Sequence, residues 1–193
     1  MHKEIIIKEN EHVFLPVLWI GEESQLSYDI ILAEKGAKIT LLGLLVGKDS
    51  HKIDLKTTIY HQNQDTQSEI IFKGALTDAS SVNYQGLVKI EPGAKGTKAW
   101  LAAHLLLLSN KARGIAIPSL EILENDIKAG HATTVGRVND LELFYLMSRG
   151  LPKQTAQLLI VEGFLQSILE KFPEELIEKA KLELGIMNRN HTK

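Results

Sequence analysis

The chain has no cysteine, which excludes disulfides, thiolate metal ligands and any sulfur nucleophile or sulfur carrier among its own side chains. It has no excess of charge of either sign: 22 Lys and Arg stand against 24 Asp and Glu, a net charge of −2. That balance gives no general pull toward phosphate backbones, so nucleic acid is not expected as a partner. Long hydrophobic runs are missing too. The longest, around Leu101 to Leu108, is interrupted by His104 and too short to span a bilayer, and Met1-His2-Lys3-Glu4 does not open like a signal peptide. A cytoplasmic protein away from the membrane is the expectation. No G-x-x-x-x-G-K-[ST] loop occurs: Gly43-Leu44-Leu45-Val46-Gly47 lacks the Lys and Ser/Thr that reach phosphate and Mg²⁺, and reads instead as a strand with small residues. G-x-S-x-G and H-E-x-x-H are also absent. Asp54, Asp65 and Asp78 are scattered over turns, so a non-enzyme is expected.

What is present is a β pattern followed by a helical one. Apolar residues alternate in short bursts, for example Val13, Leu15, Val17, Trp19; Leu26, Tyr28, Ile30, Leu32; and Val82, Tyr84, Gly86, Val88, Ile90. Such alternation marks half-buried strands. Turn-formers such as Lys35-Gly36, Gly47-Lys48-Asp49-Ser50, Asn63-Gln64-Asp65 and Pro92-Gly93 separate them. A sandwich, a barrel and a parallel β-helix all produce this pattern, with the sandwich first on base rate.

After Val138 the period becomes helical. Asn139 and Glu142 have capping-box spacing before Leu143-Phe144-Tyr145-Leu146, and Gly150 suits the terminating position. Pro152 suits the first turn of a second helix with an apolar stripe of Ala156, Leu159, Ile160, Gly163, Phe164 and Ile168. A third helix is expected from Pro173 to Leu184, closed by Gly185. The expected division is residues 1–138 as β core, 139–187 as a helical subdomain docked on the end of that core, and 188–193 as a frayed tail.

One stretch is more specific than any pattern. Pro118-Ser119-Leu120-Glu121-Ile122-Leu123-Glu124-Asn125-Asp126 continues through His131-Ala132-Thr133-Thr134-Val135-Gly136 to Leu143-Phe144-Tyr145-Leu146-Met147-Ser148-Arg149-Gly150. It resembles the signature of the SufB/SufD family of iron-sulfur cluster assembly scaffolds. His61 with Asp65-Thr66-Gln67-Ser68 resembles that family's H-x-x-x-x-T-x-S segment. Phe72 to Asp78, Tyr84 to Ile90 and Leu105 to Ser109 match further elements in order. The resemblance implies a right-handed parallel β-helix core with a C-terminal helical subdomain, in place of the sandwich, in a chain shorter than typical members.

It also implies a role and its limits. By resemblance the chain is a non-catalytic, SufD-like scaffold subunit, partnered by a SufC-type ABC ATPase and by a second SufB/SufD-like chain or its own copy. His131 is the one family metal ligand retained, so iron or an iron-sulfur cluster is expected only as a group shared with a partner. The family's Lys-Cys-x-His segment reads Lys128-Ala129-Gly130-His131 here, its sulfur-accepting cysteine aligns with Ala102, and its following Glu with Ala132. His61 and His104 are possible companions of His131, with a structural or exposed histidine the commoner outcome for each. Phe144, Tyr145, Arg149 and Gly150 are the expected ATPase-binding element, although Arg149 is also a favourable cation at a helix C-terminus. The alternative is a stand-alone β-helical carbohydrate-active or ligand-binding protein, with Trp100 and Tyr84 lining its groove.

Overall fold

The computed structural model describes residues 1–186; the predicted frayed tail, 188–193, lies outside the described residues. Ten strands come first: β1 (His2–Ile7), β2 (His12–Trp19), β3 (Gln25–Leu32), β4 (Lys38–Gly47), β5 (Lys52–His61), β6 (Gln67–Leu76), β7 (Ser81–Ile90), β8 (Thr97–Leu107), β9 (Arg113–Ile122) and β10 (Ile127–Arg137). Odd-numbered strands form one sheet in the order β1-β3-β5-β7-β9, and even-numbered strands form the other in the order β10-β8-β6-β4-β2. Every pairing is parallel. This is a parallel β-solenoid of about five turns, as the resemblance implied, and not the sandwich favoured on base rate.

Each coil returns to stack on the one before. His2 lies beside Ser27, Lys52 beside Ser81 and Ser81 beside Arg113, steps of 25, 29 and 32 residues. The corners stack as well as the strands. Asn10, Gly36, Asp65 and Gly96, all at positive φ, occupy one corner of successive coils. The amide of each donates to a carbonyl beside the next: Asn10 to Lys35, Gly36 to Gln64, Asp65 to Lys95 and Gly96 to Asp126. Glycine, Asn and Asp are the residues that tolerate this left-handed conformation, so the turn chemistry fixes where each coil bends.

Between the sheets lies a dry core built from stacked inward rows, including Leu15, Leu41, Ile70 and Leu101. Phe72 and Tyr84 pack with ring centroids 4.9 Å apart. Gly43 has a packing role, because a Cβ there would collide with the Phe72 ring. This bears out the reading of Gly43 to Gly47 as a strand with small residues.

Three helices follow: α1 (Asp140–Ser148), α2 (Lys153–Leu169) and α3 (Glu174–Leu184). The Asn139 side chain caps α1 by accepting from the Leu141 amide at 2.9 Å. Gly150 follows its last turn at φ 91°, and Gly185 closes α3 at φ 69°.

Two expectations are corrected. α2 and α3 dock on the side of the solenoid, against the outer face of the even-numbered sheet, and not on the end of the core. There Leu42, Leu44, Val46 and Ala75 form a second apolar cluster with Val161, Leu165, Ile168, Leu169, Phe172 and Ala180. The cause is legible in β4, whose Leu41 to Gly47 run is buried without alternation, the mark of a strand covered on both faces. The α2 stripe is rotated accordingly. Ala156, Val161, Leu165, Ile168 and Leu169 are the buried residues, while Leu159 and Ile160 turn toward α1.

Candidate functional site

The signature segment from Pro118 to Gly136 forms most of the last coil, β9 and β10, whose outer edges carry no further strand among the described residues. Its carboxylates have structural work. Glu121 pairs with Lys89 at 3.0 Å. Glu124 accepts from the amides of Asn125 and Gly93 at 2.8 and 3.0 Å, and these bonds hold its carboxyl below the usual range.

His131 occupies the inward row of β10, in register with Leu101 at the end of the row Leu15, Leu41, Ile70 and Leu101. Among the described residues no coil stacks on it, so its side chain is exposed at the mouth of the solenoid. Among the described residues no group of three or more His, Cys, Asp or Glu side chains is placed to hold a metal ion. The two family positions that are alanine here, Ala102 and Ala132, lie directly side by side in β8 and β10. The donor set of this chain therefore does not fit a cluster by itself: one exposed imidazole, two adjacent methyl groups and no thiol.

The companion histidines separate from His131. His61 is fully buried and bonds Thr66 Oγ1 through Nδ1 at 2.8 Å and Ser68 Oγ through Nε2 at 2.9 Å. Thr66 in turn meets Thr97 Oγ1 of the next coil at 2.9 Å. Burial pushes the imidazole down to about 4, and a neutral ring meets both hydroxyls, one nitrogen donating and the other accepting. The H-x-x-x-x-T-x-S resemblance is thus a corner staple inside the core. His104 lies on the outer row of β8, where it bonds Thr134 Oγ1 at 2.9 Å; burial and the neighbouring Lys73 ammonium push it below its ordinary value. Lys73 itself donates to the Phe164 carbonyl at 2.5 Å and lies over that ring, tying β6 to α2. Neither histidine approaches His131 as a ligand partner.

The aromatic groove of the rival reading also comes apart. Tyr84 is an interior residue whose hydroxyl meets Thr57 Oγ1 at 2.8 Å, and burial pushes its phenol up. Trp100 is exposed on the outer face of the other sheet.

Helix α1 is the opposite case. None of its residues is buried, and Leu141, Phe144 and Tyr145 are 77%, 69% and 56% exposed. Leu141, Tyr145 and Leu146 form an apolar groove with Leu159 and Ile160 of α2. The Arg149 guanidinium lies 5.3 Å from the Tyr145 ring centroid, which holds the cation beside the apolar surface. Sequence reasoning singled out Phe144, Tyr145, Arg149 and Gly150 but passed over Leu141, whose position one turn before Tyr145 was the available signal.

The chain is thus a parallel β-solenoid with two helices docked on its side and α1 left exposed. Residues 2–164 match the model of the SUF system FeS cluster assembly, SufBD core domain. The iron-sulfur cluster assembly protein SufD of Bacillus subtilis is 40% identical over 136 residues, covering 70% of this chain and 31% of the relative. A SufBD family iron-sulfur cluster assembly protein of Mycobacterium leprae is 34% identical over 186 residues, covering 89% of this chain and 47% of that protein. Another, of Mycobacterium bovis, is 32% identical over 158 residues and is covered to 19%. The chain belongs to the SufBD core-domain family of iron-sulfur cluster assembly proteins. It spans less than half the length of these relatives.

Proposed function

We propose that this chain is a non-catalytic, SufD-like scaffold subunit that acts in iron-sulfur cluster assembly or transfer with a SufC-type ABC ATPase and with a second SufB/SufD-like chain or a copy of itself. The observation that carries the reading is α1, nine residues long with no buried side chain. A helix that leaves Phe144 and Tyr145 in water is a surface suited to a partner. Arg149 and Gly150 close the same element, so the ATPase contact would draw on all four residues. The outer edges of β9 and β10 support the second partner, because unpaired strand edges are relieved by pairing with another chain.

The cluster is cargo in this scheme, not a resident group. His131 contributes one imidazole at the mouth of the solenoid, and the remaining donors come from a partner chain. Cytoplasmic residence accompanies the role; no helix among the described residues is long and apolar enough to cross a membrane.

The test is co-expression with the SufC-type ATPase and a longer SufB-type chain, with a tag on this chain only, followed by anaerobic purification and a visible spectrum. The reading expects both partners to be retained, and any iron in the complex to fall on His131→Ala. A colourless homo-oligomer that retains neither partner overturns it.

A further inference from the structure

The outer face of the even-numbered sheet is covered by α2 and α3 over one half only. On the bare half, one row of outward side chains runs His12, Lys38, Gln67, Lys98, Lys128 across all five strands. The adjacent outward row reads Phe14, Thr40, Glu69, Trp100, Gly130. All of these but Phe14 and Gly130 line an open groove of about 510 Å³, within the range of roughly 300–1,000 Å³ typical of small-molecule sites. Glu69 is its one carboxylate.

Three features bear on what this face can hold. Lys98 and Lys128 are direct register neighbours on adjacent strands, roughly 4.8 Å apart along the sheet, where like charges repel. Like most lysines among the described residues, neither they nor Lys38 belongs to an ion pair. A chain of net charge −2 thus concentrates uncompensated cations on one row. Beside them, Trp100 stays 44% exposed. Its ring is laid against the sheet by a glycine: a Cβ on Gly130 would sit 2.8 Å from Trp100 Cζ3. One edge of the indole thus lies over Gly130, in the same groove as Lys98 and Lys128.

We infer that this face is a binding site for a phosphorylated aromatic ligand of the nucleotide class, its ring stacked on Trp100 and its phosphates held between Lys98 and Lys128. Lysine ammonium groups recognise phosphate as point charges, and a base stacks on an exposed indole whatever its sequence identity. Lys38 and the Gln67 amide extend the groove toward a second phosphate. The site is independent of the assembly role, since it shares no residue with α1 or with His131.

The probe is ATP, titrated by calorimetry into the full chain purified alone, with Trp100 fluorescence as a second readout because Trp19 is buried. Saturable binding with fluorescence quenching is expected. Lys98→Glu and Lys128→Glu are each expected to weaken it about tenfold or more, the scale of one lost charge-assisted bond. Gly130→Ala, which displaces the indole, should reduce the quench without removing a charge. Adenosine and tripolyphosphate should each bind more weakly than ATP. Absence of saturation, a Lys98→Glu variant that binds as the parent does, or tripolyphosphate binding as tightly as ATP each overturns the assignment, the last in favour of a bare polyanion surface. Circular dichroism of every variant separates lost binding from lost fold.

Discussion

The corner around His61 and the helix α1 are both parts of the family signature, yet they differ in how their groups are satisfied. At the corner, His61, Thr66, Ser68 and Thr97 are fully or almost fully buried, and each side chain finds a partner inside the chain. On α1, Phe144 and Tyr145 are mostly in solvent, with only the Arg149 guanidinium near the Tyr145 ring. A polar motif whose atoms are all paired internally explains itself as architecture, because an unpaired buried polar group is costly. An apolar motif left in water has no such explanation and points outward.

That comparison is broken most forcefully at the corner. His61→Ala leaves the Thr66 and Ser68 hydroxyls short of a buried partner and opens a cavity, so we expect a loss of about 3–5 kcal/mol in urea unfolding. Acid should act on the same group. Its folded-state value lies near 4 against an ordinary 6.5, so the unfolded chain binds the proton more readily. The stabilisation is fully present above pH 6.5 and is lost as pH falls through 4. At 1.36 kcal/mol per pH unit this is on the order of 3 kcal/mol. NMR titration of the His61 ring checks it directly: the ring should remain neutral well below pH 6.5.

Gly43→Ala sharpens the packing side of the comparison. The added methyl meets Phe72 in a core with no slack, and about 1–3 kcal/mol should be lost. Asn139→Ala removes the α1 cap and should cost about 1 kcal/mol in helix stability, read as faster amide exchange across α1. Smallest of all should be Phe144→Ser with Tyr145→Ser, which removes no buried contact. Its stability should stay within about 0.5 kcal/mol of the parent.

Much of the fold was legible because its two signals are local. Alternation placed strands, and Gly36 and Asp65 were read as turn-formers, while their corner partners Asn10 and Gly96 were not. The coil period stayed hidden, since turns of unequal length stretch the step from 25 to 32 residues and blur any repeat. The choice of β-helix over sandwich rested on resemblance, because inward rows of a solenoid and of a sandwich alternate alike. The face of α2 was misplaced for a different reason: Leu159 and Ile160 are apolar toward α1 while Val161 and Leu165 are apolar toward the sheet, so the helix has no single stripe.

The site was legible in part. His131 and α1 were singled out as candidates, and the structure places the first at the mouth of the solenoid and the second in solvent. His61 and His104 are the structural and outer-face histidines that the sequence reading held to be the commoner outcome, although neither residue nor its spacing reveals which side of a coil it faces. Once the register is known the assignment is immediate: His61 lies in the middle of an inward row and His104 on an outward one. The Lys98 and Lys128 pair was invisible for the same reason, being 30 residues apart in sequence and adjacent only across strands.

The account turns on α1 as the surface for the ATPase. We would measure the dissociation constant between the purified SufC-type ATPase and this chain, as the parent and as the Phe144→Ser, Tyr145→Ser variant, alongside the unfolding free energy of both chains. The account predicts that binding falls at least tenfold while stability stays unchanged. Equal binding by the variant contradicts it, and so does a large loss of stability, which would make α1 part of the core and not a partner surface.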